Sequence, residues 1–189
     1  LVHVVDVDIR GYFDAIPHER LMGEVRKHIA DGRVLALIEA FLQAKVMEEM
    51  KEWEAESGTP QGGVLSPLLA NIYLNPLDHE MAQGGYHMTR YADGFVIQCR
   101  SREEAERALA QVQAWINGAG LTLHPEKTRI VDATQKGGFD FLGWHFERGF
   151  QWPREKSQAK LKEAIRELTP RTSGKSLREI VFRLNRTLK

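Results

Sequence analysis

The stretch that decides the fold is R-Y-A-D-G-F-V-I, residues 90–97. Apolar and β-prone residues flank Asp93-Gly94 on both sides, and an Asp-Gly pair between such runs predicts a tight β-hairpin. In that hairpin the glycine supplies a positive φ, and the turn lifts the Asp93 carboxylate to the tip of a two-stranded ribbon. Such a tip can hold a metal ion against a phosphate if a second carboxylate joins it. Taken alone, the pair is better explained as ordinary turn chemistry, and only the rest of the chain favours a functional role.

The second carboxylate is predicted at the start of the chain. Residues 1–9, L-V-H-V-V-D-V-D-I, form a β-branched pattern that predicts a mostly buried strand with Asp6 and Asp8 on one face. Carboxylates on a core strand are costly unless they are solvated, paired or coordinated. Asp8 falls at the end of the strand, where exposure to a cleft is expected. In an antiparallel sheet this end can lie beside the 91–97 hairpin, so that Asp8 and Asp93 meet.

A glycine-rich loop, G-T-P-Q-G-G at residues 58–63, precedes the longest helical pattern, which runs from Leu68 to about Met81. Ser66 is expected as its N-cap, with Pro67 at the first helical position. The loop is not a Walker A sequence, because no Gly-Lys-Ser/Thr follows. Two interpretations stay open: a plain turn before a helix, or a loop whose backbone, together with Gln61, faces a nucleotide.

The order of the elements predicts the fold class. A strand, helices, the glycine-rich loop, the long helix, the hairpin, another helix over 102–117, a second hairpin region and two basic helices follow one another. Residues 47–57 are expected to form a short exposed hairpin or loop. This order favours an α+β fold with a central antiparallel sheet and helices on one face.

Composition narrows the function classes. The 189 residues suffice for one domain with an appendage, and the single cysteine, Cys99, excludes an internal disulfide and a cysteine zinc site. No apolar run approaches the ~20 residues of a membrane span, and because the first residue already lies in a strand pattern we expect a piece of a longer protein. The seven histidines form no metal-ligand spacing.

The zero net charge conceals an asymmetry. Residues 1–144 hold 14 Lys and Arg against 21 Asp and Glu, whereas residues 145–189 hold 12 against 5. An acidic body with a basic tail is consistent with metal binding in one part and phosphate contact in the other, and equally with solvated helix faces, which often carry such excesses.

Four blocks occur in the order of a known family. They are D-I-R-G-Y-F-D at 8–14, G-T-P-Q-G-G-V-L-S-P-L-L-A-N-I-Y-L at 58–74, the 90–97 hairpin, and residues 121–130 with F-L-G-W at 141–144. The chain resembles the reverse transcriptases encoded by bacterial group II introns, the intron maturase family. The resemblance implies a right-hand polymerase palm over residues 1–150, with part of the fingers at about 32–58, and the start of a helical thumb over 151–189.

The resemblance also implies template-directed nucleotidyl transfer with Mg²⁺, for which Mn²⁺ can substitute. Asp8 and Asp93 match the catalytic, metal-binding carboxylates, and the Ile9 carbonyl matches a third ligand. Phe13 matches the steric gate under the sugar, and Gln61 faces the nucleotide. The implied partners are an intron RNA template, a DNA primer and deoxynucleoside triphosphates, in the cytoplasm of a bacterium and without a membrane.

Other residues match the parts that handle nucleic acid. Lys127 would contact nucleic acid or support the site, while Phe141, Leu142 and Gly143 would position the primer end. For Phe13, Lys127 and the 141–143 group, core packing or surface charge is the competing explanation.

One position departs from the family. Its hairpin carries two successive aspartates, and here Gly94 stands at the second. Loss of a ligand is expected to lower metal affinity or activity at least as much as outer-shell losses do, by about 10–100-fold. Asp6 and Asp14 are weak candidates to compensate. Three hypotheses follow: a polymerase palm impaired at Gly94, a maturase-type RNA-binding protein that assists intron folding and splicing without copying, or a remnant without a present role.

Overall fold

The computed structural model describes residues 2–43, 46–48, 51–53, 57–60 and 62–188, with the backbone alone for 46–48 and 51–53. Contacts divide the chain into two compact units, residues 1–132 and residues 133–189. Each is described by itself.

The first unit contains six strands and five helices among the described residues. In chain order they are β1 (His3–Asp8), α1 (Tyr12–Ala15), α2 (His18–Arg26), α3 (Gly32–Leu42), β2 (Val46–Glu48), β3 (Lys51–Trp53), α4 (Ser66–Gln83), β4 (His87–Tyr91), β5 (Gly94–Cys99), α5 (Arg102–Gly118) and β6 (Arg129–Asp132). Of the hairpin or loop expected at 47–57, the described residues show the antiparallel pair of β2 and β3, while its expected exposure stays a prediction.

A four-stranded sheet in the order β4-β5-β1-β6 forms the centre of this unit, and every neighbouring pair is antiparallel. One face of the sheet is apolar, since Val5, Val7, Phe95 and Ile97 are at most 1% exposed. They join one buried cluster with apolar side chains of the helices α4 and α5. The predicted α+β palm, with a central antiparallel sheet and helices packed on one face, is confirmed.

The β4–β5 hairpin is confirmed, but the predicted role of glycine in its turn is wrong. Tyr91 pairs with Gly94, so the two turn residues are Ala92 and Asp93, and Gly94 is already the first residue of β5. The positive φ belongs to Ala92, at 54°, and not to the glycine. A positive φ at the first turn position alone is typical of a type II′ turn. Asp93 nevertheless sits at the tip, as expected.

The glycine-rich loop docks on the turn that follows β1. Gly58 N–H donates to the Ile16 carbonyl at 2.8 Å and Thr59 N–H donates to the Phe13 carbonyl at 2.7 Å. Gly58 has a φ of +90°, and a Cβ there would lie 2.9 Å from backbone atoms of Phe13 and Asp14. Only glycine permits this approach, so the glycine joins two of the sequence blocks through their backbones.

The expected N-cap of α4 is wrong. Leu65 occupies the cap position without a side-chain cap hydrogen bond, and Ser66 is the first helical residue. The Ser66 hydroxyl instead donates to the Pro60 carbonyl at 2.6 Å, which closes the glycine-rich loop on itself. A Cβ on Gly63 would meet that hydroxyl at 2.8 Å and the Phe41 ring at 2.7 Å. The serine therefore serves the loop rather than the helix end.

The second unit is a small sheet followed by two helices. Its elements are β7 (Phe139–Phe141), β8 (Trp144–Glu147), β9 (Phe150–Pro153), α6 (Glu155–Leu168) and α7 (Leu177–Thr187). The three strands form an antiparallel meander with two-residue turns, and the expected basic helices are present. The functional boundary placed at residue 150 stays a prediction. Within the described ranges, no helix combines the length and apolar composition needed to cross a membrane.

The docking of Gly58 generates a stability prediction. Gly58→Ala adds both a left-handed residue and a clash with backbone, so we expect it to lower the free energy of unfolding by about 2–5 kcal/mol. Gly62→Ala is the matched control, because its φ is +77° but nothing lies within 4 Å of the added Cβ. It should cost only about 1–2 kcal/mol. Urea unfolding of both variants measures the difference, and equal losses would contradict the backbone docking.

Candidate active site

Asp8 lies at the end of β1, directly across from Gly94 of β5. Its carbonyl accepts a hydrogen bond of 2.8 Å from the His124 N–H on the opposite side of the strand. Asp8 and Gly94 therefore form a non-hydrogen-bonded pair, the kind in which facing side chains approach most closely. A side chain at position 94 would lie next to the Asp8 carboxylate, with Cβ atoms about 4.5–5.5 Å apart.

The other two expected metal ligands are found at the same end of the sheet. Asp93 is the turn residue immediately before Gly94. Ile9 forms an antiparallel bridge with Leu123 that is flanked by the bonds Arg10 N–H to Thr122 and His124 N–H to Asp8. In such a pair the residue's own N–H and C=O point to the other edge of the strand, here the edge along which β5 runs. The Ile9 carbonyl thus faces the side of the hairpin.

Gly94 is not required by the backbone. Its φ lies outside the left-handed region, and an added Cβ would meet only the Tyr91 carbonyl oxygen, at 3.9 Å. An L-amino acid fits this position without rearrangement. The departure from two successive aspartates is therefore a change of chemistry at an unchanged fold.

Lys127 lies against Asp8 because the strand beside β1 is interrupted. Asp6 pairs with Arg129 and Ile9 with Leu123, so three more residues pass on the partner strand than on β1, and 124–128 loops out. Within that loop the Lys127 Nζ is 3.3 Å from both Asp8 carboxylate oxygens. The lysine side chain is 58% exposed and the carboxylate 31%, so the pair contributes about 0–1 kcal/mol to stability.

The remaining carboxylates near β1 have their own surroundings. Asp6 Oδ2 is 3.5 Å from the Arg129 Nε, and the Asp6 side chain is 21% exposed. Asp14 lies in α1 and is exposed. Among the described residues no group of three or more His, Cys, Asp or Glu side chains could hold a metal ion by itself. Nothing in the geometry adds Asp6 or Asp14 to the predicted ligand set.

A reverse transcriptase family model, described as RNA-dependent DNA polymerase, matches residues 2–146. The chain belongs to the reverse transcriptase family. It is 48% identical over 79 residues to the group II intron-encoded protein LtrA of Lactococcus lactis subsp. cremoris, covering 42% of this chain and 13% of that protein. It is 30% identical over 175 residues to protein YkfC of Escherichia coli, covering 74% of this chain and 45% of that protein. The chain thus spans less than half the length of these relatives.

Solved structures share the fold at low identity. Apo telomerase from Candida tropicalis matches with a TM-score of 0.69 at 11% identity, over 88% of this chain and 36% of that one. The foamy viral protease-reverse transcriptase in complex with RNA/DNA hybrid matches with a TM-score of 0.58 at 18% identity, over 97% of this chain and 20% of that one. The reverse transcriptase fold assigned above agrees with both.

Phe13 and Tyr12 belong to α1, which is hydrogen-bonded to the glycine-rich loop and to α4. Phe13 is partly buried against the core, and its ring meets that of Tyr12 edge-on at 5.6 Å. Tyr12 donates to the Ala70 carbonyl of α4 at 2.5 Å, and burial raises the pKa of its phenol above the ordinary value. Gln61, the other predicted nucleotide contact, lies outside the described residues. The steric-gate role of Phe13 stays a prediction.

The 141–143 group forms the β7–β8 turn of the second unit. Phe141 pairs with Trp144, and both turn residues have a positive φ, 48° at Leu142 and 84° at Gly143. Positive φ at both positions is typical of a type I′ turn. The Leu142 side chain is 56% exposed. The Gly143 carbonyl accepts from the Arg154 N–H at 3.0 Å, which fixes the turn against the start of α6. Its role in positioning a primer stays a prediction.

Sequence reasoning missed Arg90. Its guanidinium forms a bidentate pair with Asp78 of α4. The Nε–H donates to Asp78 Oδ1 at 2.8 Å and an Nη2–H donates to Asp78 Oδ2 at 2.5 Å. Its Nη1 donates at 2.9 Å both to Asn71 Oδ1 and to the Ala92 carbonyl in the turn. Hydrogen bonding to Asp78 raises the pKa of Arg90 above its ordinary value.

The hydrogen bond from Arg90 to the Ala92 carbonyl is strong enough to stabilise the turn. A hydrogen bond from a charged donor contributes about 1.5–3 kcal/mol, whereas the left-handed conformation of a residue such as Ala92 costs about 1–2 kcal/mol. The signal available in the sequence was the position of Arg90, two residues after Met88 and therefore on the same half-buried face of β4. Of its partners on α4, Asn71 lies in the 58–74 block but had no role assigned to it, and Asp78 lies outside all four blocks.

The tolerance of position 94 can be measured directly. We expect Gly94→Ala to stabilise the chain by about 0.5–1 kcal/mol, because alanine restricts the unfolded chain more than glycine does. Gly94→Asp should stay within about 1 kcal/mol of wild type, since the charge beside Asp8 offsets that gain. Thermal and urea unfolding of the two variants provide the measurement. A loss above about 2 kcal/mol for the alanine variant would mean that the glycine is conformationally required.

Proposed function

We propose that this chain is the palm portion of a group II intron-type RNA-directed DNA polymerase, impaired at Gly94. The observation that supports the proposal most directly is the register of β1 against β5. It sets Asp8 opposite the position of the missing aspartate and next to the turn that carries Asp93. The family match over residues 2–146 supports the same assignment.

The donor set at this end of the sheet fits Mg²⁺. Two carboxylates, Asp8 and Asp93, and one backbone carbonyl, that of Ile9, are all hard oxygen ligands. Mg²⁺ is commonly held by one or two protein carboxylates, with the remaining positions filled by water and substrate phosphates. When bound, the ion would neutralise charge on the substrate phosphates and lower the pKa of a hydroxyl group that attacks a phosphate.

The chain's own residues have distinct tasks in this proposal. Asp8 and Asp93 hold the ion, and Ile9 contributes its carbonyl. Phe13, packed edge-on against Tyr12, limits the space beneath the sugar of the incoming nucleotide, and Gln61 faces that nucleotide. In the second unit the 141–143 turn contacts the primer end. The substrates are deoxynucleoside triphosphates, and the partners are an intron RNA template and a DNA primer.

Lys127 has a specific place in the proposed site. Its ammonium group pairs with both oxygens of Asp8, which are the atoms through which this carboxylate would bind the ion. The lysine and the metal ion therefore compete electrostatically for Asp8, and its 58% exposed side chain is free to turn toward a phosphate instead.

The competition generates a binding prediction. Lys127→Met should tighten Mn²⁺ binding to the chain by up to about fivefold, which corresponds to losing a competing pair of about 1 kcal/mol. Electron paramagnetic resonance of free Mn²⁺ measures the affinity without requiring catalysis. Lys27→Met is the matched control, since Lys27 pairs with Glu24 on α2 at 2.7 Å, and it should leave the affinity unchanged. An unchanged Mn²⁺ affinity in Lys127→Met would contradict the proposed competition between the lysine and the metal ion.

A second candidate function has its own supporting observation. Residues 133–189 hold 13 Lys and Arg against 6 Asp and Glu, and the proposed site has lost one carboxylate. A maturase-type protein that binds and folds intron RNA needs the basic surface and not the third ligand. Its affinity for RNA should fall steeply with salt, because phosphate contacts release counterions.

Primer extension on an RNA template separates the two functions. The complete protein is assayed with Mg²⁺ or Mn²⁺ as wild type, as Gly94→Asp, and as Gly94→Asp with Asp8→Asn. We expect Gly94→Asp to extend the primer at least about 10–100-fold faster than wild type, and the Asp8→Asn change to abolish the gain. Equal extension by wild type and Gly94→Asp would mean that Asp8 and Asp93 suffice. No extension by any variant, together with salt-dependent RNA binding, would favour the maturase-type function.

A further inference from the structure

The hairpin that carries Asp93 is supported unequally on its two strands, since β5 pairs with β1 from Gly94 to Cys99 and β4 does not. Its first strand, β4, stands at the edge of the sheet and pairs with β5 alone. At the tip, Gly94 contributes no side chain, and Ala92 adopts a left-handed conformation with φ 54°. The pairing of β5 with β1 holds the Gly94 side of the turn, and the Ala92 side is held by a contact with a neighbouring element.

The helix α4 offers a firm support for such a contact. Its residues Leu69, Leu74, Leu77 and Met81 are at most 2% exposed and belong to the central cluster. Two tyrosine hydroxyls also fix the helix. Tyr12 donates to the Ala70 carbonyl of α4, and Tyr73 of α4 donates to the Ala119 carbonyl. An element fixed this way can hold the turn of the hairpin in one place.

Arg90 connects the helix to the tip. Asn71 and Asp78 lie seven residues apart on α4, two turns along one face, and the guanidinium bonds to both. The same group bonds to the carbonyl of Ala92, the residue just before Asp93. Four of its five N–H groups are engaged, and its side chain is only 12% exposed.

We propose that Arg90 is a positioning residue, whose guanidinium fork fixes the Ala92-Asp93 turn on α4 and so sets the place of the Asp93 carboxylate. The proposal rests on the proposed function of Asp93 as a metal ligand. Arg90 itself touches neither substrate nor metal in it. The planar fork is essential, because a lysine ammonium cannot reach Asp78, Asn71 and the turn carbonyl with one atom.

The test compares Arg90→Lys and Asp78→Asn with wild type in two measurements. Hydrogen exchange followed by mass spectrometry reports the opening of the 88–97 segment without any metal. Mn²⁺ binding followed by electron paramagnetic resonance reports the ligand geometry. We expect Arg90→Lys to speed exchange of that segment about tenfold, to weaken Mn²⁺ binding about 10-fold, and to leave exchange of α5 and β6 unchanged. Asp78→Asn should act in the same direction, because it removes one half of the fork's bidentate partner.

Arg20→Lys is the matched control. Arg20 also donates to a backbone carbonyl, that of Gly118 at the end of α5, but it lies far along the chain from the hairpin. It should change neither measurement at residues 88–97. Unchanged exchange of that segment in Arg90→Lys would overturn the positioning role whether or not Mn²⁺ binds. Faster local exchange in a chain whose wild type binds no Mn²⁺ would support the clamp of the turn while rejecting the metal site of the proposed function.

Discussion

The pairing of β1 on both of its edges is the constraint on which the rest of the first unit depends. On one edge β5 pairs with the whole strand, from His3 to Asp8. On the other edge β6 pairs with the first part, and residues 122–124 take over where the strand ends. A shift of one residue on either edge would turn the buried valines of β1 to the wrong face. The double pairing therefore fixes the hairpin tip and the Lys127 loop relative to Asp8 at the same time.

Much of this arrangement could be predicted from local patterns. Alternation and β-branching identified β1, turn residues identified the hairpin, and the helix expected over 102–117 corresponds to α5. These signals lie within a few residues of one another. The order of the elements then indicated an α+β fold with helices on one face of an antiparallel sheet. The order of the sequence blocks indicated the polymerase palm, because it matches a known family.

The features that sequence could not supply depend on contacts outside the segment that carries each signal. The turn of the hairpin sits one residue earlier than Asp-Gly suggests, because β5 already pairs with β1 at Gly94. Ser66 was expected to cap α4, but a neighbouring carbonyl in the glycine-rich loop takes its hydroxyl. Lys127 and Asp8 are 119 residues apart in the chain. Propensity describes what a segment prefers by itself, and tertiary partners decided each of these cases.

The unstrained backbone at Gly94 separates folding from activity at that position. Glycine and aspartate codons differ by a single base, and both residues suit the conformation found there. Selection for a stable fold therefore discriminates little between glycine and aspartate at this position. Whether a lineage keeps glycine or returns to aspartate is decided by what the site is used for, which makes the identity of residue 94 across related chains a record of use rather than of architecture.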